Sequence, residues 1–220
     1  MDIRLADATA AVVGATGAIG SVCARLLARD VRELILIGRR LDALNRLREG
    51  INAENPRPCR VRVATDLESL PQADLVLTAT SAVGAIIQPR HLKIGAVLCD
   101  MSRPRDVSRQ TAAERADVLI VEGGMVEVPG PTDFAFDFGF PPGRAYACMA
   151  ETMILALEGR YESFSLGKDI KLERVEEIAR LGDRHGFRLA GFRSFERTVT
   201  EEQIGRIRSN TQRIRAGLVG

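Results

Sequence analysis

Histidine is scarce in this chain, with only His91 and His185, and they stand far apart. Four cysteines, Cys23, Cys59, Cys99 and Cys148, are widely separated, with no CxxC pair and no Cys/His ligand spacing. Those two scarcities argue against a structural zinc site or a disulfide framework, and a reducing cytoplasm is the expected setting. Lysine is nearly absent too: Lys93, Lys168 and Lys171 are the only three among 31 basic residues. With 29 acids the net charge is only +2, so nucleic acid is not an expected main partner. No long hydrophobic run occurs. The longest early uncharged stretch, residues 8–24, contains three glycines and falls short of a membrane span, so no integral membrane segment is expected. The first seven residues carry Asp2, Arg4 and Asp7, unlike a secretory signal.

What remains is ordinary globular material. The chain has 220 residues, 45% apolar and 27% charged, enough for one domain with an appendage and a real core. Through the first 120 residues, strand-like and helix-like stretches alternate. Strands are expected at 10–13, 33–37, 61–64, 74–80, 96–101 and 118–121. Helices are expected at 17–28, 41–48 and 107–115. Arg60 and Arg62 flanking the third strand mark it as a sheet edge. Right-handed crossovers between such strands give a doubly wound parallel α/β sheet of Rossmann type, order 3-2-1-4-5-6.

Beyond residue 122 the pattern changes. Gly123, Gly124, Pro129, Gly130 and Pro131 make a loop. Phe134, Phe136, Phe138 and Phe140 alternate with small or polar residues, a period-two strand signal. Helices follow at 145–160 and 171–185, the second amphipathic through Leu172, Val175, Ile178 and Leu181. Thr200 and Gln203 form a capping box for a last helix at 201–215. The expected division is a dinucleotide-binding domain over 1–143 and a helical C-terminal extension, 144–220, packed on it.

Gly14-Ala-Thr16-Gly17-Ala18-Ile19-Gly20 joins the first strand to the first helix. One glycine permits the tight turn, another admits a pyrophosphate to the backbone, and the third lets helix and strand pack closely. The helix N-terminus offers its unpaired N–H groups to the phosphates. The second strand selects the dinucleotide. An acid at its end bonds the ribose 2′-hydroxyl of NAD, whereas this one ends Gly38-Arg39-Arg40, two guanidiniums suited to a 2′-phosphate. NADP(H) is therefore the expected cofactor. Asp66, after the third strand, either bonds the adenine amino group or caps the following turn. Thr80 and Ser81, ending the fourth strand, fall at the mouth expected to hold the nicotinamide.

Neither Tyr146 nor Tyr161 has a lysine four residues on, so the tyrosine-lysine pair of short-chain dehydrogenases is missing. Cys148 is the best remaining nucleophile, because a helix N-terminus favours thiolate over thiol. Burial in the apolar stretch around it is the competing reading. Cys23, Cys59 and Cys99 read as core. Oxyanion donors would be backbone N–H groups beginning the Cys148 helix or at Gly123–Gly124. Glu151, one turn on, either steers a proton or complements the helix dipole. His185 is either a proton donor or a helix-end residue before Gly186.

Four stretches carry a resemblance: GATGAIGSVCARLL from Gly14, LILIGRR from Leu34, GGMVE from Gly123, and ACMAETMILALEGRYESFSLG from Ala147, followed by RHGFR. Together they resemble the C-terminal half of the long-chain acyl-[acyl-carrier-protein] reductase family, from about Asp2 to Arg188. The resemblance implies NADPH-dependent reduction of an acyl thioester to an aldehyde, with the acylated cysteine at Cys148. It implies a small or carrier-bound acyl substrate and a companion acyl-binding domain, since the family carries that domain ahead of the matching half. A homo-oligomer is also expected. The ATSA stretch from Ala79 is similar to the nicotinamide-side loop of shikimate dehydrogenase relatives. Two alternatives therefore stand beside the reductase: a shikimate- or amino-acid-type NADP dehydrogenase, and a non-catalytic NADP-binding module acting with a partner domain.

Overall fold

A computed structural model describes residues 1–55, 57–136, 141–167 and 170–218. The alternation read from the sequence is realised as β1 (Thr9–Val13), α1 (Ala18–Ala28), β2 (Glu33–Ile37), α2 (Leu41–Glu54), β3 (Arg60–Ala64), β4 (Leu75–Thr78), β5 (Val97–Asp100), α3 (Arg109–Glu114) and β6 (Leu119–Glu122). These six strands are parallel and ordered β3-β2-β1-β4-β5-β6, with β3 at the edge. Their near-continuous apolar runs are explained by burial on both faces. Along β1 and β2, Ala10, Val12, Leu34 and Leu36 pack towards α1 and α2. Ala11, Val13, Ile35 and Ile37 join the opposite core.

α2 runs six residues past its expected end. Leu44, Leu47 and Ile51 keep the helical spacing, and Gly50 is tolerated because the Arg25 guanidinium lies across it, paired with Glu54. α3 is shorter than expected, capped by the Ser108 hydroxyl, which accepts from the Thr111 N–H at 3.0 Å.

The C-terminal region departs more from the sequence reading. It holds β7 (Met125–Glu127), β8 (Arg144–Tyr146), α4 (Ala147–Leu157), α5 (Leu172–His185), β9 (Arg188–Leu189), β10 (Arg193–Ser194), β11 (Arg197–Thr198) and α6 (Glu201–Arg215). It is thus not purely helical. β8, β7 and β9 form a small antiparallel sheet, which the chain enters before residue 143 and re-enters after it. These strands are too short, at two or three residues each, to show a period. The expected phenylalanine strand is absent in its described part. Phe134 and Phe136 lie in irregular chain, with Phe134 packed against the α4 core and Phe136 exposed. Phe138 and Phe140 fall outside the described residues.

β10 and β11 extend the large sheet antiparallel to β6. Their two-residue turn puts Phe195 and Glu196 at positive φ. Phe195 is held under Arg105 and Arg109, which also pair with Glu196 at 2.6 and 3.1 Å. α6 begins with the expected reciprocal cap, Thr200 and Gln203 bonding each other's backbone N–H. It docks on the large sheet's end: the Thr211 hydroxyl donates to the Asp117 carbonyl at 2.9 Å, and Asn210 Nδ2 to that of Ala116 at 3.1 Å. α4 and α5 instead pack on each other over Ala150, Ile154 and Phe187.

Candidate functional site

The glycine loop supplies a phosphate cradle from three different physical requirements. Gly14 has φ +80°, and a Cβ there would lie 2.4 Å from the Ala79 carbonyl oxygen, so only glycine makes this turn beside β4. A Cβ on Gly20 would stand 2.2 Å from the Gly14 carbonyl oxygen, so its absence lets α1 sit against the loop. Gly17 has φ −78° and caps α1 without a side-chain bond. Its missing Cβ leaves space in front of the helix, 3.3 Å from the Gly14 oxygen. The first N–H groups of α1, at Ala18 and Ile19, have no acceptor within the helix and face out of the loop end. This geometry fits a dinucleotide pyrophosphate. Thr16 borders the loop's far side, its hydroxyl 3.6 Å from where a Cβ on Gly38 would stand at the end of β2.

Arg39 and Arg40 follow immediately, both exposed, with Arg40 as the N-cap of α2. Among the described residues neither is in an ion pair, while most other arginines near the sheet are. Asp66 is exposed and accepts the Glu68 N–H at 3.0 Å, the geometry of a capped turn, with one carboxylate oxygen left over.

At the end of β4, Thr80 is tied into a network that the sequence reading missed. Its hydroxyl donates to Asp106 Oδ1 at 2.6 Å and accepts the Ala82 N–H at 3.1 Å. Its own N–H donates to the Ser102 hydroxyl at 2.9 Å. Ser102 donates in turn to Asp106 Oδ2 at 2.5 Å. Asp100, fully buried at the end of β5, accepts the Thr78 hydroxyl and the N–H groups of Ser102, Asp106 and Val107. The Thr80 side chain thus shapes the mouth, while neighbouring Ser81 is exposed. The available signal for this network was an acid ending an apolar strand, Leu98-Cys99-Asp100.

Cys148 is the second residue of α4 and is exposed, unlike the other three thiols, which are half-buried. Burial pushes Cys23 and Cys59 up from the ordinary thiol range, and burial, followed by the charges of Cys23 and Asp100, pushes Cys99 to about 11. The Ala147 N–H is used on the Gly124 carbonyl at 2.7 Å, and the Gly123 N–H on the Asp100 carbonyl at 3.3 Å. Those glycines therefore anchor α4 to the large sheet. The N–H groups of Cys148 and Met149 remain in the helix's first turn, where no intrahelical acceptor exists. Glu151 accepts the Ser165 hydroxyl at 2.6 Å and lines the same cleft as Cys148. His185 pairs with Glu158 at the end of α4, joined there by Arg184, which makes it a strut between α4 and α5. The cleft measures about 520 Å³, and Cys148 shares it with Ile19 of the glycine motif and with Cys23, which the sequence reading left in the core. No cluster of three or more His, Cys, Asp or Glu suited to a metal occurs among the described residues, nor any helix long and apolar enough to cross a membrane.

Comparison with known proteins gives three findings. The profile of the family "Shikimate / quinate 5-dehydrogenase" matches residues 1–122. The "Aminotransferase PigE" of Serratia sp. (strain ATCC 39006) is 34% identical over 213 residues, 93% of this chain and 24% of that protein. The "Long-chain acyl-[acyl-carrier-protein] reductase" of Synechococcus elongatus is 33% identical over 195 residues, 85% of this chain and 54% of that protein. The chain spans about a quarter and about half the length of these two relatives. With the sheet order and the glycine loop, these findings make the first 122 residues an NAD(P)-binding domain of oxidoreductase type.

Proposed function

Because this chain belongs to the shikimate / quinate 5-dehydrogenase family through residues 1–122, we propose that it is an oxidoreductase using NADP(H), and that it reduces an acyl thioester to an aldehyde through an acyl-enzyme on Cys148. The observation that carries this reading is the exposed Cys148 thiol on a helix N-terminus, opening into one cleft with Ile19 of the glycine motif. The likeness to a long-chain acyl-[acyl-carrier-protein] reductase over 85% of the chain supports it. In this reading residues 1–143 hold the cofactor and 144–220 carry the nucleophile. The acyl group arrives on a small or protein carrier, and the chain corresponds to the C-terminal half of that relative, with acyl delivery by a companion domain.

Gly14, Gly17 and Gly20 shape the cradle, the N–H groups of Ala18 and Ile19 bind the pyrophosphate, and Thr16 borders it. Arg39 and Arg40 take the 2′-phosphate, Asp66 lies towards the adenine, and Thr80 and Ser81 bound the nicotinamide mouth. Cys148 attacks the thioester carbonyl: the new carbon–sulfur bond forms, the bond to the carrier sulfur breaks, and the thiol proton ends on the departing carrier thiol. In this reading the N–H groups of Cys148 and Met149 stabilise the oxyanion. A bound reduced nicotinamide supplies the hydride that takes this carbonyl to the aldehyde level. Collapse of the Cys148 hemithioacetal releases the aldehyde and returns the thiolate.

Two measurements test this. Incubation with an acyl thioester without NADPH, followed by peptide mass spectrometry, is expected to find the acyl group on Cys148, and Cys148→Ser is expected to abolish aldehyde formation. A shikimate-type dehydrogenase, the reading favoured by the family profile alone, would turn over shikimate unimpaired in Cys148→Ser; that outcome overturns the thioester reading. For the cofactor, NADPH is expected to bind at least tenfold more tightly than NADH, since one charge-assisted contact contributes roughly 1.5–3 kcal/mol. In the Arg39→Ala/Arg40→Ala double variant that preference disappears. Equal affinities in the parent chain, by fluorescence titration, would overturn the NADP(H) assignment.

A further inference from the structure

Glu151 is the fifth residue of α4, past a first turn that holds no acid. A helix dipole acts on a carboxylate within that first turn, so complementing the dipole does not account for this one. An ion pair does not account for it either. Among the described residues Glu151 is in none, whereas Glu158, Glu162, Glu176 and Glu177 in the same region each pair with an arginine. Its partner is the Ser165 hydroxyl, which donates to Oε1 at 2.6 Å; among the described residues Oε2 has none. Glu151 stands three residues beyond Cys148, so the two side chains leave one helix face with Cβ atoms about 5–6 Å apart. Both line the 520 Å³ cleft, with Ser165 beside them. The cleft's other ionisable groups are placed differently. Asp183 and Arg188 are exposed on α5 and β9, and burial pushes the Cys23 thiol up. Glu151 is half-buried, anchored, and on the same helix as the nucleophile.

Acyl transfer between two thiols moves a proton from one sulfur to the other. Cys148 must lose it to attack, and an alkyl thiol leaves slowly as its anion because its conjugate acid is weak. We propose that Glu151 carries this proton. Its carboxylate takes the proton from the Cys148 thiol, and the carboxylic acid so formed gives it to the departing sulfur. The proposal rests on the reading of Cys148 as the acylated nucleophile. The bond from Cys148 sulfur to the carbonyl carbon forms as the bond to the carrier sulfur breaks, no electrons enter or leave, and Glu151 ends as the carboxylate it was. When the hemithioacetal later collapses to the aldehyde and the Cys148 thiolate, one proton from solvent restores the pair. Ser165 is a positioning residue: its hydroxyl holds Oε1 and leaves Oε2 for the proton.

The test compares two thioesters of one acyl group, octanoyl-pantetheine and octanoyl 4-nitrothiophenol, on the full chain without NADPH, following acylation of Cys148 by intact mass. The aryl thiol is acidic enough to leave as its anion and needs no proton; the pantetheine thiol does. In Glu151→Gln, whose side-chain oxygen still accepts the Ser165 hydroxyl, the pantetheine rate constant is expected to fall about 10²-fold, while the aryl rate constant stays within about threefold of the parent. Glu151→Asp, which keeps a carboxyl, is expected to recover part of the pantetheine rate. Ser165→Ala is a second, milder variant, with a selective loss of about threefold to tenfold, the worth of one hydrogen bond. The pantetheine-to-aryl ratio is taken within each variant, so a general loss of reactivity does not imitate the effect. Equal falls for both esters would make Glu151 a support for α4 and overturn the proposal, as would an unchanged ratio in both Glu151→Gln and Ser165→Ala. A selective loss in Asp183→Asn, expected to match the parent, would move the proton to Asp183 and overturn it too. Acylation of the parent by neither ester overturns the Cys148 reading and this one with it, whereas acylation with an unmoved ratio leaves the Cys148 reading standing.

Discussion

Valine at Gly17 is expected to leave a folded protein that no longer binds a dinucleotide, and alanine at Gly20 to damage the fold as well. The contrast follows from where each absent Cβ would stand. At Gly17 the backbone is ordinary, φ −78°, and a Cβ meets only the Gly14 oxygen at 3.3 Å, so the chain accommodates a side chain. The branched group then fills the space in front of α1 that a pyrophosphate needs. Losing two charge-assisted bonds to that helix end costs about 3–6 kcal/mol of binding, or roughly 10²–10⁴ in Kd. At Gly20 a Cβ falls 2.2 Å from the Gly14 oxygen and 3.1 Å from Ala15 Cα, contacts within the turn itself. α1 must move off β1, at about 1–3 kcal/mol, the usual range for an overpacked interior. Circular dichroism and thermal melts read the fold, and calorimetry reads the binding. Tight NADPH binding by folded Gly17→Val would show that phosphate does not lie at this loop.

The parallel sheet was legible in the sequence because each strand is apolar on both faces and each break carries punctuation: Gly14 after β1, Gly38 after β2, Asp66 after β3. The order of the six strands followed from right-handed crossovers together with the dinucleotide-binding pattern of a glycine loop after the first strand. α2 runs past its expected end at residue 48 through Gly50, a poor helix former, where the Arg25 guanidinium lies close enough to meet any added Cβ at 3.1 Å. The β10–β11 turn was invisible for a related reason. Phe195 and Glu196 are poor residues for positive φ, and their conformation is imposed by distant Arg105 and Arg109. The strands β7, β8 and β9 are too short to carry a period, while the phenylalanine alternation that did carry one leaves Phe134 and Phe136 outside any strand. At the candidate site, motif position found the glycine loop and Cys148. It did not find the cleft, because the cleft exists only where α5, 150 residues away in sequence, stands off from α1.

Asp100→Ala is expected to be the most destabilising substitution outside the apolar core. The carboxylate is fully buried and accepts four bonds: the Thr78 hydroxyl at 2.9 Å, and the N–H groups of Ser102 and Asp106 at 2.9 Å and of Val107 at 3.2 Å. Among the described residues no cation pairs with it, so donors alone offset the cost of burying it. Alanine leaves those donors in a space closed to water, and each orphaned donor costs about 1–3 kcal/mol. A loss of at least ~3 kcal/mol, lowering Tm by roughly 6–12 °C for a chain of this size, is the expected result. Asparagine repairs half of it at most: its oxygen replaces one acceptor, while its amide points two further donors at the N–H groups of Asp106 and Val107. The consequence reaches the site through Ser102 and Asp106, which hold the Thr80 N–H and hydroxyl in place. Loss of Asp100 therefore loosens the mouth beyond β4 as it lowers Tm. Asp106→Asn disturbs the Thr80 and Ser102 hydroxyls without freeing the three N–H groups on Asp100, so its Tm should fall by less. An Asp100→Ala melt matching the parent would mean that these N–H groups find other acceptors.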